Sequence, residues 1–223
     1  MDRTIKVTGK GKISVKPDQI LLNLYLEDVK ENYEETLEQS SIQTEILKDV
    51  FENLGFARTD LKTINFNVNT KYERYHDEHN NWKEEFKGYE FQHSLKIEFD
   101  ANNKLLGNVL YALAHCSVSP KFYINYTIKD KESAKKQLLN KAVMDSKIKA
   151  EILAEAAGVS LKDIQIIDYS WEELNFIASP MSKGGMALSI CEVACKENNS
   201  YDFNIEPDNI VAEDTVTIIW NIL

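Results

Sequence analysis

Apolar residues recur at every second position over two successive stretches at the start of the chain. Ile5, Val7, Ile13 and Val15 occupy odd positions, and Ile20, Leu22, Leu24 and Leu26 then occupy even ones. A period of two is that of a strand with one buried face. Gly9 and Gly11 keep the odd parity, so the buried face of the first strand lacks a side chain at two places. Such glycines mark a bulge, a bend, or a site where another backbone or a helix packs close. Pro17-Asp18 stops the strand, because proline has no N–H for the ladder and a pinned φ. The pattern predicts a hairpin of two apolar-faced strands joined by a tight Pro-Asp turn and covered by helices.

The period then lengthens. Tyr33, Leu37, Ser40, Thr44, Leu47, Phe51 and Leu54 are spaced three and four apart, one face of a helix. The acidic segment from Glu27 to Glu38 suits the positive end of its dipole, and Gly55 ends it. Alternation returns at Ile64, Phe66 and Val68, running toward Tyr72, and again after Gly88-Tyr89 at Phe91, His93, Leu95, Ile97 and Phe99. Between them Tyr72 to Lys87 is polar and aromatic, which predicts a hairpin with a long exposed tip. Asp100 to Asn103 caps a short helix striped by Leu105, Leu106, Val109, Leu110 and Leu113. Cys116 to Pro120 is a connector and Phe122 to Ile128 a fifth strand. Asp130 caps the longest helix, Lys131 to Ala157, whose expected buried stripe is Leu139, Val143, Ser146, Ala150, Leu153 and Ala157. Small residues there let a helix lie close on a sheet.

Gly158 ends that helix, Leu161 to Tyr169 returns as a strand, and Val216, Ile218, Trp220 and Ile222 alternate as the last one. From Trp171 to Asn209 no period holds. The stretch is too long for an ordinary connection, so it is a functional loop or an arm ordered by a partner. A neighbouring subunit is the expected cover for its Trp171, Phe176, Ile177, Met181, Met186, Leu188 and Ile190. The whole is an α+β chain of antiparallel-rich sheets packed with three main helices, in the order ββαββαβαββ. Leu54-Gly55 before Asp60-Leu61-Lys62-Thr63-Ile64 is echoed by Gly158-Val159 before Leu161-Lys162-Asp163-Ile164, which suggests two related sheet-plus-helix lobes.

Three stretches carry a family resemblance. Ile5 to Asp18 follows Ile-x-Val-x-Gly-x-Gly-x-Ile-x-Val-x-Pro-Asp. Lys141 to Val159 carries Ala142, Asp145, Lys149, Ala150, Glu151, Leu153, Ala154, Gly158 and Val159 at the spacing of a second motif, with Ser146 where a small residue is usual. Ile64, Phe66, Tyr72, Gly88 and Tyr89 match a middle segment. The chain thus resembles the SIMPL-domain family, which includes the YggE-like proteins and the periplasmic immunogenic proteins of bacteria. The resemblance covers essentially all of residues 1–223 as a single SIMPL-like domain, and it is weakest over a variable insertion at about 171–209. It implies ring-like homo-oligomers, as in bacterial relatives, and a loose link to the envelope and oxidative stress. Animal relatives are associated with a signalling kinase.

Composition narrows the function. At 223 residues the chain can bury roughly 70% of its unfolded surface, and 43% apolar with 28% charged residues describe an ordinary soluble globule. The net charge of −10 argues against nucleic acid and against docking to anionic membranes. No stretch approaches the roughly 20 apolar residues of a spanning helix, so no membrane insertion is expected. Met1-Asp2-Arg3 runs straight into a strand without a signal peptide, which predicts a cytoplasmic protein, or an extracytoplasmic one if a leader has been removed. Cys116, Cys191 and Cys195 are odd in number and sparse, which favours a reducing compartment.

Candidate chemistry is thin. Gly9-Lys10-Gly11 lies inside an alternating strand and is followed by another, unlike a phosphate loop, which opens a helix. His76-Asp77-Glu78-His79 offers metal-ligand types crowded on one tip, where a solvated turn is the plainer reading. Cys191 and Cys195, four apart, suit either half of a thiolate site or two packing residues on a short helix. His93 and His115 sit beside apolar residues, as boundary groups do. No nucleophile elbow or triad spacing is visible. No catalytic, cofactor-binding or metal residues are therefore expected, and no cofactor. The expected function is a non-enzymatic, homo-oligomeric scaffold, with a cysteine-dependent redox or metal-responsive protein and a small-molecule binder at Gly9 and Gly11 as alternatives.

Overall fold

The first strand, β1 (Thr4–Val15), does not pair with the second, β2 (Gln19–Lys30); the two belong to different sheets. The computed structural model describes residues 3–77, 79–169, 176–178 and 205–223. Its elements run ββαββαβαββ, as the periodicity predicts, with one added 3-10 turn at Arg58–Asp60. The chain divides into two compact units, each a sheet with helical cover.

The first unit gathers residues 1–18, 127–178 and 207–223. Here β1 pairs antiparallel with the last strand, β7 (Ile210–Ile222), from Thr4 opposite Asn221 to Val15 opposite Ile210. On the other side of β7 lies β6 (Leu161–Asp168). The expected Pro-Asp hairpin turn is instead a corner. The Asp18 N–H donates to Thr127 O at 3.1 Å, and its carboxylate accepts from the Lys129 N–H at 2.8 Å. Both groups that would close a turn are thereby committed elsewhere.

Helix α3 (Lys131–Ala156), capped by the Asp130 carboxylate on Ser133 N–H, lies on this sheet. Its buried residues are Ala134, Leu138, Ala142, Ser146, Ala150 and Ala154, at a strict spacing of four. Of the expected stripe only Ser146 and Ala150 are among them, and Leu153 is 49% exposed. The glycines of β1 explain the rotation. A Cβ on Gly9 would stand 2.5 Å from Ser146 N and 2.7 Å from Ser146 Cβ, and one on Gly11 3.0 Å from Ala142 N. The helix backbone therefore rests on the strand backbone at Leu138, Ala142 and Ser146, and the missing side chains of Gly9 and Gly11 make room for it. The same contact occupies the space in which the alternative of a small-molecule binder placed its ligand beside Gly9 and Gly11.

Polar groups of α3 also close the free edge of β1. Asp145 accepts the Lys10 N–H at 2.7 Å, Lys149 donates to Thr8 O at 3.3 Å, and Lys141 donates to Lys12 O at 3.2 Å. An open strand edge is a template for unwanted pairing, and these side chains occupy it. The core beneath joins Ile13, Ile128, Leu138, Phe176 and Ile210 in one cluster and Val7, Val216, Ile218 and Trp220 in another. Phe176 is 2% exposed, so its own chain covers it, not a neighbouring subunit as expected from the sequence. Ile177 of that apolar series is exposed; Trp171, Met181, Met186, Leu188 and Ile190 lie outside the described residues, as do Cys191 and Cys195.

The second unit gathers residues 19–126 and 179–206. Its sheet is ordered β3 (Lys62–His76), β4 (Trp82–Asp100), β2, β5 (Lys121–Thr127). Ile20, Leu22, Leu24 and Leu26 of β2 and Phe91, Leu95, Ile97 and Phe99 of β4 are buried, the two alternations expected. Helix α1 (Tyr33–Asn53) packs on both strands and touches α2 (Asn103–His115). Gly55 adopts φ +92° at the end of α1, its N–H on Glu52 O and that of Phe56 on Phe51 O, with the two phenylalanine rings 5.8 Å apart. This is the Schellman cap with its apolar contact. At the other end Thr36 is buried, while Tyr33 and Leu37 of the expected stripe are exposed. Thr36 gains its place by donating to Asn32 O and Tyr89 O.

Candidate functional site: an aromatic ribbon and the His93 groove

The long tip expected between Tyr72 and Lys87 is mostly ladder. Strand β3 continues to His76 and β4 resumes at Trp82, with Tyr72 opposite Phe86, Arg74 opposite Glu84 and His76 opposite Trp82. Aromatic and charged side chains are mixed there without a period of two, so no hydrophobic alternation betrays the strands in the sequence. On one face the cross-strand pairs do match, Tyr72 with Phe86, Arg74 with Glu84 and His76 with Trp82. The turn itself is short. Asp77 N–H donates to Asn81 O at 3.0 Å, and the Asp77 carboxylate accepts from the N–H groups of His79 and Asn81. Those bonds hold the Asp77 carboxyl below its ordinary range.

The ribbon presents one aromatic face. A register shift at Lys71/Tyr72 brings Phe86 onto the same side as Tyr89, their rings 5.5 Å apart. Tyr33 meets Tyr89 edge-on at 5.4 Å, Tyr72 meets Phe86 at 5.5 Å, and His76 leans on Trp82 at 3.8 Å. Between the last two pairs Arg74 binds Glu84 at 2.6 Å. Trp82 is 68% exposed, Tyr72 52% and Phe86 46%. Exposed apolar surface of this extent on a projecting element marks a contact site.

The same face continues inward to a groove of about 420 Å³ between α1 and β3, walled by Leu37 and Phe66 and floored by His93. His93 is buried, and hydroxyls take both of its ring nitrogens. Thr63 Oγ1 lies 2.8 Å from Nε2 and Thr44 Oγ1 3.2 Å from Nδ1. Thr44 donates its one hydroxyl proton to Ser40 O at 2.7 Å, so it accepts from His93, whose neutral form carries the proton on Nδ1. Nε2 then accepts from Thr63. Burial, and secondarily the Lys48 ammonium, push the His93 pKa below 6.5. Glu45 at the rim is turned to Lys48 and Arg58.

Among the described residues the other candidates from the sequence are not assembled into a site. In His76-Asp77-Glu78-His79, His76 leans on Trp82 and Asp77 ties the turn, while Glu78 lies outside the described residues. His115 stacks on Tyr111 at 4.1 Å, with Nδ1 2.8 Å from Tyr111 O. The Cys116 thiol donates to the carbonyls of Leu113 and Val118, and burial raises its pKa. In the first unit Tyr169 donates to Asp214 at 2.8 Å, and burial with this bond pushes its phenol up to about 12. Sequence reasoning missed the ribbon and the groove alike. The groove's signal, Ser40 and Thr44 one turn apart facing His93 and Thr63, needs the fold to bring its parts together.

Comparison with known proteins adds the following. The model of the SIMPL family, described as a protein of unknown function (DUF541), matches residues 5–220. The 26 kDa periplasmic immunogenic proteins of Brucella melitensis biotype 1 and Brucella abortus strain S19 are each 30% identical over 161 residues, which is 70% of this chain. The match spans 62% of the length of these relatives.

Proposed function

We propose that this chain, which belongs to the SIMPL family, is a non-enzymatic module that works by self-association, as a scaffold. The observation that carries the reading is the aromatic face of the β3–β4 ribbon, with Trp82, Tyr72 and Phe86 uncovered. Rings interlocked edge to face are how a core packs, and half of this one is open to solvent. The His93 groove supports the non-enzymatic part. Both imidazole nitrogens are engaged by hydroxyls and the nearest rim carboxylate, Glu45, is held by two cations. A general base needs a free lone pair within reach of a substrate proton.

Among the described residues no helix is long and apolar enough to cross a membrane. An extracytoplasmic location is favoured by the periplasmic naming of the Brucella relatives. Light scattering of the intact protein at micromolar concentration tests the central claim. A particle of at least twice 25.6 kDa is expected, and a 25.6 kDa monomer rejects it.

A further inference from the structure

We infer that the outer face of the β3–β4–β2 sheet binds a neutral chain of acetamido sugars. Strand β3 reads Asn65, Phe66, Asn67, Val68, Asn69, and its register sets the three asparagines opposite Ser94, Gln92 and Glu90 of β4. Those β4 residues alternate with buried Phe91, His93 and Leu95, so the asparagines face away from α1. Across β4 the same rows continue, with Tyr25 opposite Ser94 and Glu27 opposite Gln92. The result is a grid of carboxamides and hydroxyls over three strands, beside which Tyr25 and Tyr123 meet edge to face at 5.4 Å. A solvated sheet face needs polar residues, but it does not need these. Asparagine is disfavoured in strands, where threonine keeps a face as wet and suits the pleat better. Three on one face of one strand need another reason. Asn65 and Asn69 are exposed, and Asn67 Oδ1 is buried with no donor among the described residues. An acceptor left unmade in this way is costly, and a ligand's hydroxyl or amide supplies what it lacks.

The chemistry of the face selects the occupant. The charges next to the amides are matched, Lys71 with Glu90 at 2.7 Å and Lys121 with Glu27, so a polyanion or a polycation finds no free counter-charge beside them. A protein partner takes an apolar core rich in aromatic residues and methionine, which the centre of this grid lacks. A carboxamide offers a donor and an acceptor together, and sugar hydroxyls and acetamido groups require both. Tyrosine adds a ring whose electron-rich face receives the C–H groups of a pyranose. Tyr123 is 60% exposed and Tyr25 36%. Neighbouring strands lie about 4.8 Å apart, close to the length of one sugar unit, so a chain crossing the sheet sets successive sugars over successive strands. The aromatic face of the ribbon looks the other way, since Tyr89 has the parity of buried Phe91 and meets Tyr33 of α1. Sugar binding is therefore separate from self-association.

Equilibrium dialysis of the intact protein against tetra-N-acetylchitotetraose tests the inference, and saturable binding is expected. Asn65→Thr/Asn69→Thr keeps the face polar and favours the strand, so circular dichroism is expected to show an unchanged fold. The same variant is expected to bind about tenfold more weakly, as the loss of hydrogen bonds to the ligand requires. Tyr123→Ala is expected to weaken binding likewise, and Lys48→Ala, on the helix covering the opposite face, to leave it unchanged. Cellotetraose, which has the same linkage without acetamido groups, is expected to bind more weakly than the acetylated tetramer. Absence of saturable binding overturns the inference. Wild-type affinity in the asparagine variant overturns this face as the site; should that variant unfold, wild-type affinity in Tyr123→Ala does so. Equal affinity for cellotetraose overturns the acetamido sugar as the ligand. None of these outcomes depends on particle mass, so the self-association reading is judged separately by light scattering.

Discussion

At Gly9 the absence of one carbon sets the spacing between a strand and a helix. An added Cβ meets Ala142 O and Ser146 N, which are backbone atoms that move only if α3 moves. Gly9→Val is therefore expected to cost about 3 kcal/mol or more through overpacking, read as a lowered midpoint in urea. A variant that melts with wild type would show that the helix gives way freely. Ser146, directly above, has a buried hydroxyl with no partner among the described residues, at the position where the family motif usually has a small residue. Removing an unsatisfied buried hydroxyl restores its desolvation cost, and alanine is the better helix former. Ser146→Ala is expected to stabilise by about 1 kcal/mol, and a lower urea midpoint would contradict it. His93 links residue chemistry to pH. Its folded pKa lies below 6.5, so between the two values the unfolded chain binds the proton and the folded one does not. Stability is complete above about 6.5 and falls as pH drops through that window. The loss in melting temperature from pH 7.5 to 5 is expected to be smaller in His93→Gln than in wild type; equal losses would exclude the histidine as their source.

At the scale of elements, the second family motif acquires a structural meaning. Asp145 and Lys149, four apart on α3, bind each other at 2.7 Å and reach the Lys10 N–H and Thr8 O of β1. The spacing puts one acceptor and one donor over a strand edge whose exposed groups alternate in the same way. Asp145→Ala is expected to lower the melting temperature more than Lys147→Ala, whose partner Glu151 stands 3.9 Å away at the surface. Equal shifts would reduce the strap to an ordinary surface pair. Lys149, and secondarily the Lys10 N–H, hold the Asp145 carboxyl below its ordinary 3.8. Its contribution is present above that value and is lost as pH falls through the lower folded one. Near the end of α1 a similar correction operates. Asp49 and Glu52 lie toward the negative end of the helix dipole, and Arg58 binds both together with Glu45.

For the whole molecule the question is what covers the ribbon. Trp82 at 68% exposure and Trp220 at 7% differ enough to be told apart by a soluble quencher. The iodide-quenchable emission that disappears on Trp82→Phe is expected to be small in concentrated, assembled protein and to grow on dilution. Emission from Trp82 that is equally quenchable at every concentration would place it outside any interface. A second exposed apolar series, Met144, Ile148 and Ile152 on α3, follows from the rotation that turns small residues toward the sheet. Its size makes it a second place to look for contact in an assembly.

The sequence by itself determined the element order, the two-residue alternations of β1, β2, β4 and β7, the glycine ends of α1 and α3, and the caps at Asn102 and Asp130. These are local matters, settled by periodicity and by backbone groups that neighbouring side chains satisfy. The paired motifs around Gly9 and Asp145 were likewise visible, though not that one closes upon the other. Tertiary structure alone decided strand partners, because Ile5 to Val15 offers the same apolar face to any strand, and β7, some two hundred residues on, is as good a partner as β2 until the corner at Asp18 is tied to Thr127 and Lys129. It also decided which face of α3 turns inward, since hydrophobicity favours Val143 and Leu153 while the close approach to Gly9 and Gly11 turns Leu138, Ala142 and Ser146 to the sheet. And it decided the site. Tyr72, Arg74 and His76 become one half of a surface only when Trp82, Glu84 and Phe86 come to lie opposite them.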